Sequence, residues 1–441
     1  MRLALAAFAL LALGCATSPR PGVAPSVFDP SRTPVKPVPA DRWGELRPWR
    51  ILKDTTWLRG EPGDTPRYHD LVVTGGYLFT ATGQGMETYG VTDPDRPRIA
   101  SYADGSTLAP VWGFTDKNFF LTSIDASDDE LVVTGAEDFG LIVWNTSAKG
   151  APRVHYQDAS EYVRSVAVVR AGGKRLAYAT SHSRLLAYGL DAAAGLDRCV
   201  EPCPGVKLGV VATGSASASV SAFGRWVVYR DATRIRIFDA DPASAADFLR
   251  LSATLTGVTA AGEASGWEYR GRLYLAVAVA NASRRGELWI YDVTCVKAGA
   301  CALPPPVKYS TPDLSAPVQP LNVDVSFSAD GTPYVYVGTN VIGVASNPVC
   351  VEQREYLFEA RDIHALRDVT PRAGGFYWGW YYEPCYGFNA TAPRHAVLKG
   401  NVLYRTGYSF LDSHLLAPAP PVTLVFEDGF ESGDTSRWNG R

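Results

Sequence analysis

The sequence lacks the short motifs that mark familiar catalytic and metal sites. Its six histidines stand singly along the 441 residues, so no metal-type spacing such as H-x-x-x-H arises. No Gly-x-Ser-x-Gly elbow, phosphate-binding Walker loop or dinucleotide fingerprint occurs. We therefore predict no metal site and no cofactor, and we expect binding rather than catalysis.

Strong net charge and helical runs are also missing. The chain carries 42 lysines and arginines against 45 acidic residues, a net charge of −3. Because there is no basic stripe, we do not expect nucleic acid as a partner. What dominates is short runs of Val, Leu, Tyr and Thr between Gly, Pro, Asn and Asp, a pattern typical of β-strands and tight turns.

A strand–turn–strand pattern recurs along the chain. The first clear unit starts at Tyr68 and passes a turn at Gly75-Gly76. The second strands of successive units are predicted to begin near residues 78, 131, 176, 226, 273, 334 and 402. A spacing of about 45 to 70 residues, with three or four strands per unit, is typical of propeller blades. The predicted fold is therefore all-β, a β-propeller of about seven four-stranded blades over residues 46–420.

The ends of this region indicate how the ring closes. A lone strand is predicted within residues 46–58, and the last unit, near 395–416, is short of an outer strand. A blade is a small sheet with two apolar faces, so it needs a neighbour on each side. We expect the N-terminal strand to complete the last blade.

The first residues resemble an export signal. Met1-Arg2 precedes the apolar run Leu3–Leu13, which is far shorter than the roughly 20 residues that a membrane-spanning helix needs. The following Ala12-Leu13-Gly14-Cys15 resembles the bacterial lipobox. That resemblance implies a lipoprotein signal over residues 1–15, lipidation at Cys15 and an outer-membrane or cell-surface address. An ordinary signal peptide, with a periplasmic or secreted product, is the alternative.

Two further segments flank the propeller region. Residues 16–45 are rich in proline, so we expect an extended tether between lipid and propeller. Residues 421–441 are predicted to be an acidic tail. This tail, with its Asp428-Gly429-Phe430-Glu431-Ser432 sequence, resembles the segment that ends many secreted bacterial proteins.

The amino-acid sequence of the repeat resembles that of a known family. Gly-Leu-Ile-Val-Trp-Asn at 140–145 and Leu-Trp-Ile-Tyr-Asp-Val at 288–293 are similar to the LVIVD repeat of bacterial surface propellers. The resemblance covers units 68–100, 119–154 and 267–293 best and fades after residue 300. It implies a cell-surface β-propeller.

Six cysteines besides Cys15 agree with export, because an oxidising compartment favours disulfides. Pairing by proximity in sequence is one of many pairings that six cysteines allow. It gives the pairs Cys199–Cys203, Cys295–Cys301 and Cys350–Cys385. The alternative, in which Cys199 and Cys203 are metal ligands, lacks the four Cys/His ligands that zinc normally takes.

The innermost strands supply the candidate site. Their predicted polar residues converge on a central channel, where they could bind a ligand. The candidates are His69, Asp70, Asp125, Arg164, Glu268, Asp324 and His395. The alternative is that they hydrogen-bond to one another and to water in a wet channel.

Two functions follow from these observations. The first is a monomeric, non-catalytic propeller that binds an envelope protein or glycan and touches the membrane only through its lipid. The second is an enzyme or small-ligand receptor that uses the channel residues, for example a polysaccharide hydrolase or lyase.

Overall fold

The computed structural model describes most of the predicted propeller region. The described residues are 46–54, 68–83, 85–92, 98–104, 120–214, 217–231, 234–240, 248–256, 258, 261–280, 286–299, 303–310, 318–342, 350–369, 378–379, 395–406 and 410–416. The predicted signal with Cys15, the tether and the tail lie outside this set, as do Cys301 and Cys385.

The described strands form seven separate sheets, each antiparallel in its main ladder. The innermost strand of each sheet contacts the innermost strand of the next, and the last contacts the first. The sheets therefore stand as blades around a central axis. The prediction of an all-β propeller is confirmed.

The first three blades follow the chain from residue 68. Blade 1 contains β2 (Tyr68–Thr74), β3 (Tyr77–Thr82), β4 (Gly85–Gly90) and β5 (Arg98–Asp104). Blade 2 contains β6 (Ser123–Asp128), β7 (Leu131–Gly135), β8 (Leu141–Asn145) and β9 (Arg153–Asp158), with β13 (Cys199–Val200) added in parallel to β9. Blade 3 contains β10 (Val163–Ala171), β11 (Lys174–Ser181), β12 (Arg184–Gly189) and β14 (Lys207–Ala212).

Four more blades complete the ring. Blade 4 contains β15 (Ser217–Phe223), β16 (Trp226–Asp231), β17 (Arg234–Asp239) and β18 (Arg250–Thr256). Blade 5 contains β19 (Ala261–Tyr269), β20 (Arg272–Ala280), β21 (Gly286–Asp292) and β22 (Val307–Ser310). Blade 6 contains β23 (Val318–Phe327), β24 (Pro333–Ile342), β25 (Cys350–Glu359), β26 (Arg367–Asp368) and β27 (Trp378–Gly379). Blade 7 contains β28 (Ala396–Lys399), β29 (Val402–Thr406), β30 (Phe410–Leu416) and β1 (Leu46–Asp54).

The second strands lie where the repeat predicted them. The strands β3, β7, β11, β16, β20, β24 and β29 begin at residues 77, 131, 174, 226, 272, 333 and 402. They lie in the middle of each sheet, so both of their faces are covered and they read as nearly continuous apolar runs. This is why the sequence marks them more clearly than the outer strands.

Among the described residues, helix occurs in two short connections. An α-helix, α1 (Leu190–Ala194), follows β12, and a 3₁₀ helix (Thr294–Ala298) follows β21. Within the described part of the chain, no helix has the length and apolar character needed to cross a membrane.

The hydrophobic core is divided among the gaps between blades. Each of seven buried clusters joins residues of two consecutive blades. In one of them, Trp144 of blade 2 packs with Phe79 of blade 1. In the closing one, Leu411 of blade 7 packs with Leu78 of blade 1. Stability therefore depends on each blade having both neighbours.

The N-terminal strand completes blade 7, as predicted. β1 pairs antiparallel with β30, from Leu46 opposite Leu416 to Asp54 opposite Phe410. The described strand covers residues 46–54 of the predicted 46–58 segment, and the last residues of that segment lie outside the described set. The two ends of the propeller thus share one sheet.

One of the predicted disulfides, Cys199–Cys203, is confirmed. Cys199 and Cys203 are joined, with their Cα atoms 6.4 Å apart. The alternative in which this pair binds a metal is therefore wrong, because both sulfurs are used in the disulfide. Cys295 is also disulfide-bonded.

Blades 6 and 7 share a buried ion pair. The Arg405 guanidinium of β29 pairs with the Glu355 carboxylate of β25, and their side chains are 2% and 0% exposed. Charges so far from water are stabilised by their partners. This pair therefore fixes how the closing blade sits on its neighbour.

Deleting residues 46–54 is expected to lower the melting temperature of the whole propeller, because it removes the outer strand of blade 7 and exposes the edge of β30. Thermal unfolding followed by circular dichroism tests this. Deletion of 16–40, within the predicted tether, is the control. Equal melting of the 46–54 deletion and the full chain would contradict the closure.

Replacing Arg405 with Met should lower the free energy of unfolding by about 3–5 kcal/mol, because the Glu355 charge loses the cation it pairs with. Urea denaturation measures the loss. The double variant Arg405→Met/Glu355→Leu should recover much of the stability, since no charge is then buried. Equal stability of the single and double variants would argue against the ion pair.

Candidate functional site

A cavity of about 460 Å³ occupies the channel on the propeller axis. Its wall is made by the innermost strands β2, β6, β10, β15, β19 and β23 and by the residues at the start of β28. These strands converge on the axis, so only short polar side chains fit at several positions. Among them are Ser123, Ser165, Ser219 and Ser265.

In the first half of several inner strands, every second residue has a polar side chain. The pattern polar-x-polar occurs at Ser123/Asp125, Ser219/Ser221, Glu263/Ser265 and Asn322/Asp324. Strand residues two apart share a face. The pattern therefore aims successive polar groups at the axis.

Many of these side chains bind the backbone of the next blade. The Ile124 amide donates to Oδ2 of Asp70 at 2.9 Å, and the Ser123 hydroxyl donates to the same oxygen at 3.0 Å. The Val166 amide in turn donates to Oγ of Ser123 at 3.2 Å. Blades 1, 2 and 3 are thus joined by side chains facing the channel.

Hydrogen bonds of the same kind join the next blades of the ring. The Val168 amide donates to Oδ2 of Asp125 at 2.7 Å, again joining blades 2 and 3. The Val220 amide donates to Oγ of Ser165 at 3.0 Å, joining blades 3 and 4. The Ser221 hydroxyl donates to the Ala264 carbonyl oxygen at 2.6 Å, joining blades 4 and 5.

Blade 7 is held to blade 6 in the same manner. The Ala396 amide donates to Oδ2 of Asp324 at 3.0 Å. The Leu398 amide donates to Oγ of Ser326, also at 3.0 Å. These contacts support the view that much of the polar ring serves the structure.

His395, at the start of blade 7, contacts side chains of three other blades. Its Nδ1 is 3.1 Å from Oδ1 of Asp324 in blade 6 and 3.6 Å from Oδ1 of Asp70 in blade 1. Its Nε2 is 3.7 Å from Oε2 of Glu263 in blade 5, and the side-chain amide of Asn322 is 2.9 Å from the same nitrogen. One imidazole therefore contacts three carboxylates that are far apart in sequence.

The electrostatics of this cluster favour a charged imidazole. Burial lowers the pKa of His395, but the fields of Asp70, Asp324 and Glu263 raise it, and its pKa ends well above the usual value. The imidazole thus links blade 7 to blades 1 and 6 at the closing seam.

Two carboxyl groups of the channel are shifted toward neutral pH. Burial raises the pKa of Glu263 to about 7, helped by the charges of Asp324 and Asp70 and opposed by His395. Burial also raises the pKa of Asp125 to about 7, although the amides of Val168 and Ala126 oppose the shift. Burial raises the pKa of Asp70 as well. The channel thus holds more carboxyl groups than can readily be ionised together at neutral pH.

The remaining predicted residues of the channel lie at its edge. His69 is buried, and its ring centroid is 4.5 Å from that of Phe120, which also lines the cavity. Arg164 is largely exposed, with Nε 3.9 Å from Oε1 of Glu137 and its guanidinium 5.9 Å from the Tyr162 ring. Both residues line the cavity, as predicted.

The prediction that Glu268 lines the channel is wrong. Its side chain is 52% exposed and pairs with Lys297 at 2.8 Å. Only the first half of β19 borders the cavity, through Glu263 and Ser265, whereas Glu268 lies beside the hairpin that leads to β20. Sequence reasoning chose the wrong acidic residue of the strand.

Glu263 and Asn322 were missed by the sequence prediction, although a signal for them exists. Each begins a polar-x-polar pair in the first half of an inner strand, like Ser123 and Asp125. No other feature distinguishes them, because their partner His395 is 132 and 73 positions away.

The described side chains of the site can bind a ligand and exchange protons. A carboxyl with a pKa of about 7, such as Glu263, can give or take a proton at neutral pH. Among the described residues, no group of His, Cys, Asp and Glu is arranged to hold a metal ion.

Comparison with protein-family models finds no matching family, and no curated protein is similar to this chain. The resemblance to LVIVD propellers therefore stays a prediction.

Stability is expected to fall as pH rises from about 4.5 toward 8. Glu263 and Asp125 have pKa values near 7 in the folded state and near 4 when unfolded. The folded state binds more protons, so the stabilisation is present below the unfolded pKa and is lost through pH 7. At about 1.4 kcal/mol per pKa unit, the full loss should be on the order of 4 kcal/mol per group. His395, whose pKa is also raised, adds a loss above about pH 6.5.

Urea denaturation at pH 5, 6, 7 and 8 measures this dependence. Glu263→Gln should make it shallower, because glutamine does not titrate. Glu268→Gln, on the same strand but outside the cavity, should leave it unchanged. A wild-type stability that rises over this range would contradict the assignment.

Proposed function

We propose that this protein is an exported, lipid-anchored propeller that binds an envelope protein or glycan and does not catalyse a reaction. The observation that supports this proposal most is that three carboxylates of the channel already bind the protein backbone. Asp70, Asp125 and Asp324 accept hydrogen bonds from the backbone of neighbouring blades. Side chains fixed in this way are poor candidates for moving protons or attacking a substrate.

The proposed address is supported by the chain's own sequence. The run Leu3–Leu13 followed by Cys15 is similar to a lipoprotein signal, and the proline-rich segment 16–45 would hold the propeller away from the membrane. The Cys199–Cys203 disulfide is consistent with an oxidising compartment. The resemblance to LVIVD propellers also favours the cell surface.

A binding role suits the edge of the channel. Arg164 is 59% exposed there, beside the Tyr162 ring, which stacks on His182 with centroids 5.3 Å apart. Aromatic and arginine side chains of this kind are enriched at recognition surfaces. The partner would therefore meet this rim first.

Lipidation can be tested directly. In a bacterial host, the full chain should incorporate an alkyne-labelled fatty acid and fractionate with membranes. Cys15→Ser should lose the label and become soluble, because no other lipid attachment is proposed. An unlabelled wild-type protein that is found in the soluble fraction would contradict the anchor.

Binding can be tested with the soluble Cys15→Ser protein, immobilised and exposed to envelope proteins and glycans. We expect saturable binding that falls about tenfold with Arg164→Ala, since a rim hot spot is worth more than about 1 kcal/mol. Arg272→Ala is the matched control, because Arg272 is equally exposed and pairs with a single carboxylate, Asp292, at 3.4 Å. Turnover of an envelope polysaccharide would overturn the non-catalytic proposal.

A small-ligand receptor is the second candidate. The observation that favours it is the cavity of about 460 Å³, which is within the range of about 300–1,000 Å³ typical of ligand pockets.

A further inference from the structure

We propose that the channel cavity binds a small organic cation through an ammonium group, with Glu263 as its main contact. This inference develops the binding role proposed above and assigns a ligand class to the cavity. It depends on the cavity, on its charge and on the difference between Glu263 and the other carboxylates.

The cavity can hold such a ligand. Its volume is about 460 Å³, enough for several non-hydrogen atoms together with water. The wall combines carboxylates with Val166, Val220 and Val325. An alkyl chain would lie on the valines while its ammonium group reaches the acidic side.

The charges inside the wall do not balance. Glu137 and Arg164 pair at the edge and offset each other. Deeper in the channel, His395 contacts three carboxyl groups, those of Asp70, Glu263 and Asp324. A fourth, that of Asp125, lines the same cavity. One imidazolium cannot compensate four carboxylates, so the cavity favours a cation over a neutral or anionic ligand.

Glu263 differs from the other three carboxylates. Asp70, Asp125 and Asp324 each accept a backbone amide of the next blade. The described contact of the Glu263 carboxylate is Nε2 of His395 at 3.7 Å, longer than a hydrogen bond, and its side chain is 28% exposed in the cavity. It can therefore bind a ligand without loss of an inter-blade hydrogen bond.

One more cation lies in the neighbourhood. Arg230 of β16 is close enough for the charge of Glu263 to raise its pKa, which burial lowers. Arg230 does not line the cavity, so it balances part of the charge from behind the wall. Glu263 itself lines the cavity.

The raised pKa values of two cavity carboxyl groups agree with binding of a cation. Burial raises the pKa of both Glu263 and Asp125 to about 7. At neutral pH the cavity thus takes up protons where a bound ammonium would supply positive charge. Binding of an ammonium group should lower both pKa values and release protons to solvent.

The test uses the soluble Cys15→Ser protein and two probes of equal length, 1,4-diaminobutane and its neutral counterpart 1,4-butanediol. Calorimetric titration at pH 7, in two buffers of different ionisation enthalpy, gives both the affinity and the number of protons released. We expect one saturable site for the diamine, net proton release, and at least tenfold weaker binding of the diol. Affinity for the diamine should rise from pH 5.5 to pH 8.

Two variants locate the site. Glu263→Gln should weaken diamine binding at least tenfold and abolish much of the proton release. Glu268→Gln removes an equal charge from the same strand outside the cavity, so it should bind as the parent does. Absence of diamine binding, equal binding of the diol, or an unchanged affinity of Glu263→Gln would each overturn the inference. Saturable binding of an envelope partner by the parent protein, weakened by Arg164→Ala, would then show that the proposed function stands without the cation site.

Discussion

The two apolar faces of every blade are the constraint on which this structure depends. Each face is buried only by the adjacent blade, and the seven core clusters lie between blades rather than on the axis. The ring therefore has to close, and β1 completes the sheet of blade 7 that would otherwise end at β30. The centre is left to polar side chains.

Convergence of the inner strands explains what those polar side chains do. Where strands approach the axis, their backbone amides need acceptors, and short side chains such as Ser123, Asp125 and Ser165 supply them from the preceding blade. The polar ring is thus part of the framework. His395 has a related role at the closing seam, with charge in place of a backbone bond.

The acidic excess of the channel links stability to binding. Carboxyl groups that are half-neutral near pH 7 destabilise the fold as they ionise. A cation in the cavity would offset that cost, so the same charges that weaken the empty ring would favour a ligand. The carboxylates of Asp70, Asp125 and Asp324 are needed to join the blades. Glu263 accepts no described backbone amide, so it can serve ligand binding alone.

Periodicity within short segments determined the strands, their hairpins and the closing role of the N-terminal strand, because alternation of apolar residues is a local property. The short distance between Cys199 and Cys203 in the sequence also predicted their disulfide. The site was decided by tertiary structure. Glu263 rather than Glu268 faces the axis, and His395 meets Asp70 and Asp324 only because the ring brings distant strands together. Burial and charge at that meeting point arise from all the inner strands at once, so no single segment encodes them.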